Sequence, residues 1–172
     1  MGVVMSHLNG IEPFLDRLFA ELATAGIDVS SYPMDHVCYR VADMDRYEEL
    51  KHAWGRYVDG FVGYESVVNG RPISVFVLMY PPTIGNRLIP AIELPAPKEG
   101  SPYPEGWEHA EFVIEEPFEA FMERYPMLEF DKKGLSKTIN PELGLKLGGG
   151  LQVKFHHLPL SRVIEIEQEQ RG

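Results

Sequence analysis

The sequence predicts an α+β fold made of two strand–helix–three-strand (βαβββ) modules behind an N-terminal helical extension. Three observations predict it. An amphipathic helical stripe opens the chain, and a Pro/Gly/Ser-rich stretch, PAPKEGSPYPEG at 95–106, interrupts it midway. The same order of elements is then legible on both sides of that stretch, a repeat of architecture rather than of identical letters.

The elements follow in order. In 8–26, Ile11, Phe14, Leu15, Leu18, Phe19, Leu22 and Ala23 fall at i, i+3, i+4, i+7 spacing, and Gly26 supplies a stop. DHVCYRVA at 35–42 alternates and is rich in β-formers, so it reads as a strand. Residues 43–58 read as a helix capped by Asp43, with Tyr47, Leu50, Ala53 and Trp54 on one face. Three strand-like runs follow at 61–68, 73–80 and 89–94, and Asn69-Gly70 between the first two is a strong hairpin signal.

In the second half, 107–115 reads as a strand and 116–127 as a helix with Pro117 near its first turn. Residues 128–147 hold two weaker strands, 148–159 holds the last clear strand after a three-glycine turn, and SRVIEIEQEQRG reads as a short helix capped by Ser161. The expected organisation is therefore an extension at 1–30, a first module at 31–96, a linker at 97–106 and a second module at 107–172.

Composition bounds the function. The 172 residues are 44% hydrophobic and 24% charged, ordinary for a globular chain, and Gly 16 with Pro 14 fits a turn-rich fold. A net charge of −10 argues against the basic field that nonspecific nucleic-acid binding needs, and against an anionic membrane surface. No apolar run approaches the roughly 20 residues of a membrane span, and the N-terminus lacks the pattern of a signal peptide. One cysteine, Cys38, permits no internal disulfide and fits a cytoplasmic location.

Six histidines are present. His7 in the leader and His52 in a predicted exposed helix read as solvated surface residues. His36 and His109 occupy matching places, each at the start of the first strand of its half and each after an acidic residue. Taken singly, each would ordinarily be a hydrogen-bonded core or surface histidine; matched positions point to a shared role. The last strand of each half ends in a polar residue among apolar ones: Glu93 in AIELP, and His156, or else His157, in VKFHHLP. A carboxylate buried there needs a partner, either a cation such as Arg40 or Arg71, or a metal ion. Imidazole and carboxylate together suit Zn, Fe, Mn, Ni or Co. No local HExxH signature supports the set.

The segments DHVCYR, VVNGRPISVFVL, IPAIELPAPKEGSPYPEGWEH and KFHH resemble the YecM family of bacterial proteins, over about residues 8–168. That family in turn resembles the vicinal oxygen chelate superfamily, which includes glyoxalase I, extradiol dioxygenases and bleomycin-resistance proteins. The resemblance implies paired βαβββ modules forming an open β-cup around a divalent metal ion, with ligands from the first and last strands of each module. Carried over, these are His36, Glu93, His109 and His156. The last differs from the carboxylate found in many superfamily enzymes, which leaves the fourth ligand and the reaction open.

Strand alternation places Arg40 with His36, and Lys154 with His156, so with Arg71 these are the expected substrate-binding cations, suited to a small anionic substrate. Glu93 is the one candidate general base. The expected activity is metal-dependent chemistry of isomerase, lyase or dioxygenase type on an oxygen-chelating small molecule, in a monomer or homodimer. The alternative is a protein of the same fold that binds or sequesters a small molecule without turnover.

Overall fold

The computed structural model describes residues 8–57, 64–100 and 103–172; His7, the start of the expected 61–68 strand and two residues of the expected linker lie outside them. The fold is α+β, with two βαβββ modules after an N-terminal helix. The chain divides into two compact units, one of Met1–Glu12 with His36–Glu108, the other of Pro13–Asp35 with His109–Gly172.

Helix α1 (Ile11–Thr24) buries Ile11, Phe14, Leu15, Leu18 and Leu22, while Phe19 is half-buried and Ala23, expected in the stripe, is exposed. Its end is a glycine stop. Gly26 adopts φ +80°, Ile27 N–H bonds to Leu22 C=O at 3.0 Å and Gly26 N–H to Ala23 C=O at 3.0 Å. This is the Schellman arrangement, which a Cβ at Gly26 would strain.

The first unit holds β1 (Met34–Arg40, from His36 on), α2 (Met44–Trp54), β2 (Tyr64–Val68), β3 (Arg71–Val77), a two-rung hairpin of β4 (Thr83–Ile84) and β5 (Arg87–Leu88), and β6 (Ala91–Pro95). Strand order is β2-β3-β6-β1, with β6 parallel to β1 and the other neighbours antiparallel. Asp43 caps α2 as expected, its Oδ1 accepting from Arg46 N–H at 2.8 Å. Asn69 (φ 53°) and Gly70 (φ 75°) both take the left-handed region, as a two-residue primed hairpin turn requires. On the helix side, Trp54 lies over Trp107 (6.1 Å between ring centroids) and meets Tyr39 and Phe76 edge-on. Trp107 Nε1 donates to Asn9 C=O at 2.9 Å, so this tryptophan is a packing anchor.

The second unit holds most of α1, β7 (Gly106–Val113, from His109 on), α3 (Phe118–Glu123), β8 (Phe130–Asp131), β9 (Glu142–Lys146), β10 (Gln152–His156) and α4 (Leu160–Arg171). Its order, β7-β10-β9-β8 with β10 parallel to β7, matches the first unit's pattern of first strand parallel to last. Phe112, Phe121 and Phe155 stack in its core beside Val153, Leu143 and Leu145.

Three expectations differ from the structure. Helix α3 is shorter than 116–127: Pro117 stands at its N-cap, and Pro126 disfavours helical backbone at Tyr125. The β4–β5 hairpin lies between expected strands. Ser161 does not cap α4; Pro159 is the N-cap residue, without a side-chain bond of its own, and the Leu160 N–H is taken by both Asp35 carboxylate oxygens at 3.0 Å.

Candidate metal centre

Alternation along the strands of each unit separates an apolar, helix-packed face from a polar face. In the second unit, β7 turns Ala110 and Phe112 to the core, and β10 does the same with Val153 and Phe155. The register pairs His109 with Gln152, Glu111 with Lys154 and Val113 with His156, so His109, Glu111, Lys154 and His156 share the opposite face.

There, His109 Nε2 lies 3.0 Å from Glu111 Oε2, and His156 Nε2 lies 3.4 Å from Glu111 Oε1 and 3.5 Å from Asp35 Oδ2. All four side chains are buried. Burying two carboxylates with two imidazoles is costly unless charge is compensated, either by protonated imidazoles or by a cation. Nitrogen and oxygen donors of these two kinds are what a first-row divalent ion takes, and here they form a buried row of contacts, His109–Glu111–His156–Asp35.

His157 points elsewhere. Its Nδ1 is 2.8 Å from Ile114 C=O and its ring 4.3 Å from that of Phe118, so His156 is the member of the VKFHHLP pair that meets the carboxylates. Lys154 Nζ donates to Glu142 Oε1 at 3.0 Å, and Lys137 engages the same oxygen at 2.9 Å.

In the first unit, β1 carries His36, Cys38 and Arg40 on one face, and the register Cys38↔Glu93 puts Glu93 there too. His36 Nε2 lies 3.6 Å from Glu93 Oε2, the histidine buried and the glutamate partly open. Cys38 is buried, as a small packing residue would be. Arg40 does not pair with Glu93: its Nε donates to Glu108 at 2.9 Å, and its guanidinium lies 4.7 Å from the Tyr103 ring centroid. Arg71 is four residues from Val75, the β3 partner of Glu93, hence about 13 Å along the strand from it. Arg71 lines a separate cavity with Lys98.

Sequence reasoning missed Glu111 and Asp35. Glu111 was accessible from strand period, being two residues from His109 and so on its face. Asp35 had no local signal, because its partners, His156 and Leu160, are more than a hundred residues away.

Comparison with known proteins gives a consistent answer. The family profile described as "YecM protein" matches residues 4–167. Protein YecM of Escherichia coli K12 is 28% identical over 173 residues, covering 90% of this chain and 87% of that protein. An uncharacterized Haemophilus influenzae protein is 36% identical over 96 residues, covering 51% of this chain and 45% of its own length. A solved structure from structural genomics, protein EC4020, shares 25% identity at a TM-score of 0.73, covering 95% of this chain and 90% of that one.

Proposed function

The chain belongs to the YecM family, and from that premise we propose that it is a divalent-metal-dependent enzyme acting on a small, oxygen-chelating substrate. The observation that carries the reading is the buried row of His109, Glu111, His156 and Asp35, two imidazoles and two carboxylates in which each neighbouring pair lies 3.0–3.5 Å apart. His109, Glu111 and His156 are the donors of the second unit. His36 and Glu93, which the superfamily resemblance names as ligands, form a donor pair within the first unit, 3.6 Å apart. The ion is one of Zn, Fe, Mn, Ni or Co, and when bound it would act as a Lewis acid toward two neighbouring oxygens of the substrate.

The chain's own residues have separable tasks. Glu93, the less buried partner of the His36–Glu93 pair, is the candidate proton acceptor when it is not serving as a ligand. Lys154 and Arg40 are held by Glu142 and Glu108, so an anionic substrate must compete with those carboxylates for them. Isomerase, lyase and dioxygenase chemistry all suit these groups.

The test is to strip the protein with chelator, refill it anaerobically with Zn, Mn, Ni and Fe(II) in turn, and measure retained metal. Loaded protein is then screened with vicinal diols, 2-oxo acids and catechols, alongside Glu93→Gln. Metal retention with turnover lost in Glu93→Gln is the expected result. Retention of none of the ions overturns the reading. A melting-temperature shift by one of these compounds in stripped protein, without product, would replace it with the ligand-sequestering alternative.

A further inference from the structure

We infer that Arg71 and Lys98 form a second small-molecule site, separate from the metal centre and built for an organic anion. A cavity of about 400 Å³ opens within the first unit, between the Asn69-Gly70 turn, the start of α2 and the segment after β6. That volume lies in the range of small-molecule pockets. Its walls are apolar at Met44, Val68 and Pro72, and cationic at Arg71 and Lys98, with one acid, Glu99.

The burial of Arg71 sets the site apart. The chain's net charge is −10, seven cations (Arg40, Arg46, Lys51, Arg124, Lys137, Lys154 and Arg162) engage carboxylates, and Arg17, Arg56, Lys132, Lys133 and Lys146, without such a partner among the described residues, are exposed. Among the described residues, Arg71 and Lys98 have no ion-pair partner, although Arg71 is half-buried. A half-buried guanidinium without a carboxylate, at the wall of a cavity, retains its planar fork for an oxyanion. Met44 and Val68, 44% and 42% exposed, are large apolar side chains left open beside it. An anionic head on Arg71 and Lys98, with an apolar body against Met44, Val68 and Pro72, satisfies both features.

The left-handed turn fixes this geometry. Asn69 and Gly70 reverse the chain so that Arg71 leads directly into β3, paired with Val68 across the hairpin. The Ala96 N–H to Pro72 C=O bond at 2.8 Å holds the segment carrying Lys98 against the same strand.

The test is a titration of isotope-labelled, chelator-treated protein with phenyl phosphate and, separately, inorganic phosphate, following amide shifts. Expected are saturable shifts at 69–72 and 96–99, tighter for phenyl phosphate. Arg71→Ala is expected to weaken phenyl phosphate about tenfold, Arg71→Lys less, and the exposed-site variant Lys98→Ala by a smaller factor. His109→Ala is expected to leave the titration unchanged, which separates this site from the metal centre. Absence of saturable shifts there, or wild-type affinity in Arg71→Ala or Lys98→Ala, would overturn the assignment. So would loss of binding in a folded His109→Ala protein.

Discussion

Replacing Asp35 by alanine removes the acceptor that closes the first turn of α4 and one of the two carboxylates touching His156. Helix α4 is lightly packed: of its twelve residues, Ile164 alone is buried. Both Asp35 oxygens sit 3.0 Å from Leu160 N–H, a charge-assisted cap, whereas Ser161 is exposed and provides none. Loss of an N-cap side chain costs about 1 kcal/mol, and a hydrogen bond to a charged group up to about 3. We therefore expect Asp35→Ala to destabilise the chelator-treated protein by about 2 kcal/mol, a fall in Tm of roughly 4–8 °C for a chain of this size. Amide hydrogens of α4 should lose protection first, since the helix buries one side chain and Asp35 caps its start. Ser161→Ala should stay within about 0.5 kcal/mol of wild type. Urea unfolding followed by circular dichroism, with hydrogen exchange on α4, measures both. Equal destabilisation by the two variants, or a neutral Asp35→Ala, would refute the reasoning.

Two further predictions concern stability. Tyr47 is buried, donates to Glu65 Oε2 at 2.7 Å and meets Ser74 Oγ at 2.7 Å, so Tyr47→Phe leaves the buried Ser74 short of a partner and should cost about 1–2 kcal/mol by urea unfolding at pH 7. The same Tyr47 hydrogen bond, with Lys51 and Ser74, holds the Glu65 carboxyl below the ordinary carboxylate range against its desolvation. Its contribution is thus complete above about pH 4.3 and lost as pH falls through the depressed value. Stability curves should show a shallower acid decline in Tyr47→Phe than in wild type, and identical slopes would contradict that cause. Gly134 lies so close to β9 that an added Cβ would meet Glu142 and approach its carbonyl oxygen to 2.8 Å. Gly134→Ala should cost about 1–3 kcal/mol, read as a lowered urea midpoint with unchanged slope.

The parts of the fold carried by period and turn chemistry were legible. The stripe from Ile11 to Leu22, the Gly26 stop, the Asp43 cap and the Asn69-Gly70 turn each depend on a few neighbouring residues, and each is present. The β4–β5 hairpin also had a local signal, Gly85-Asn86 between two short runs, with Gly85 at φ 63°. Its two-residue strands are too short for alternation to register. What local reading could not reach were features made by distant chain segments. Ser161 looked like a cap because it precedes an apolar-periodic run, yet a carboxylate 125 residues away takes the Leu160 N–H instead. The site divides the same way. His36, Glu93, His109 and His156 emerged from matched positions in the repeat, and Glu111 follows from alternation once His109 is chosen. Asp35 and the Arg40–Glu108 pair depend on tertiary contacts. No helix among the described residues is long and apolar enough to cross a membrane, consistent with the hydropathy of the sequence.

The central claim is that the buried imidazoles and carboxylates of the second unit bind a metal, and adjacent histidines give it the most direct test. His156 meets Glu111 and Asp35, whereas His157 bonds to the Ile114 carbonyl and stacks on Phe118. Elemental analysis of wild type, His156→Ala and His157→Ala after anaerobic refilling, with folding checked by circular dichroism, compares two substitutions one residue apart. The account predicts near-stoichiometric divalent metal in wild type and His157→Ala, and a large loss in folded His156→Ala. Metal retained at the wild-type level in His156→Ala, or bound by none of the three, would contradict it.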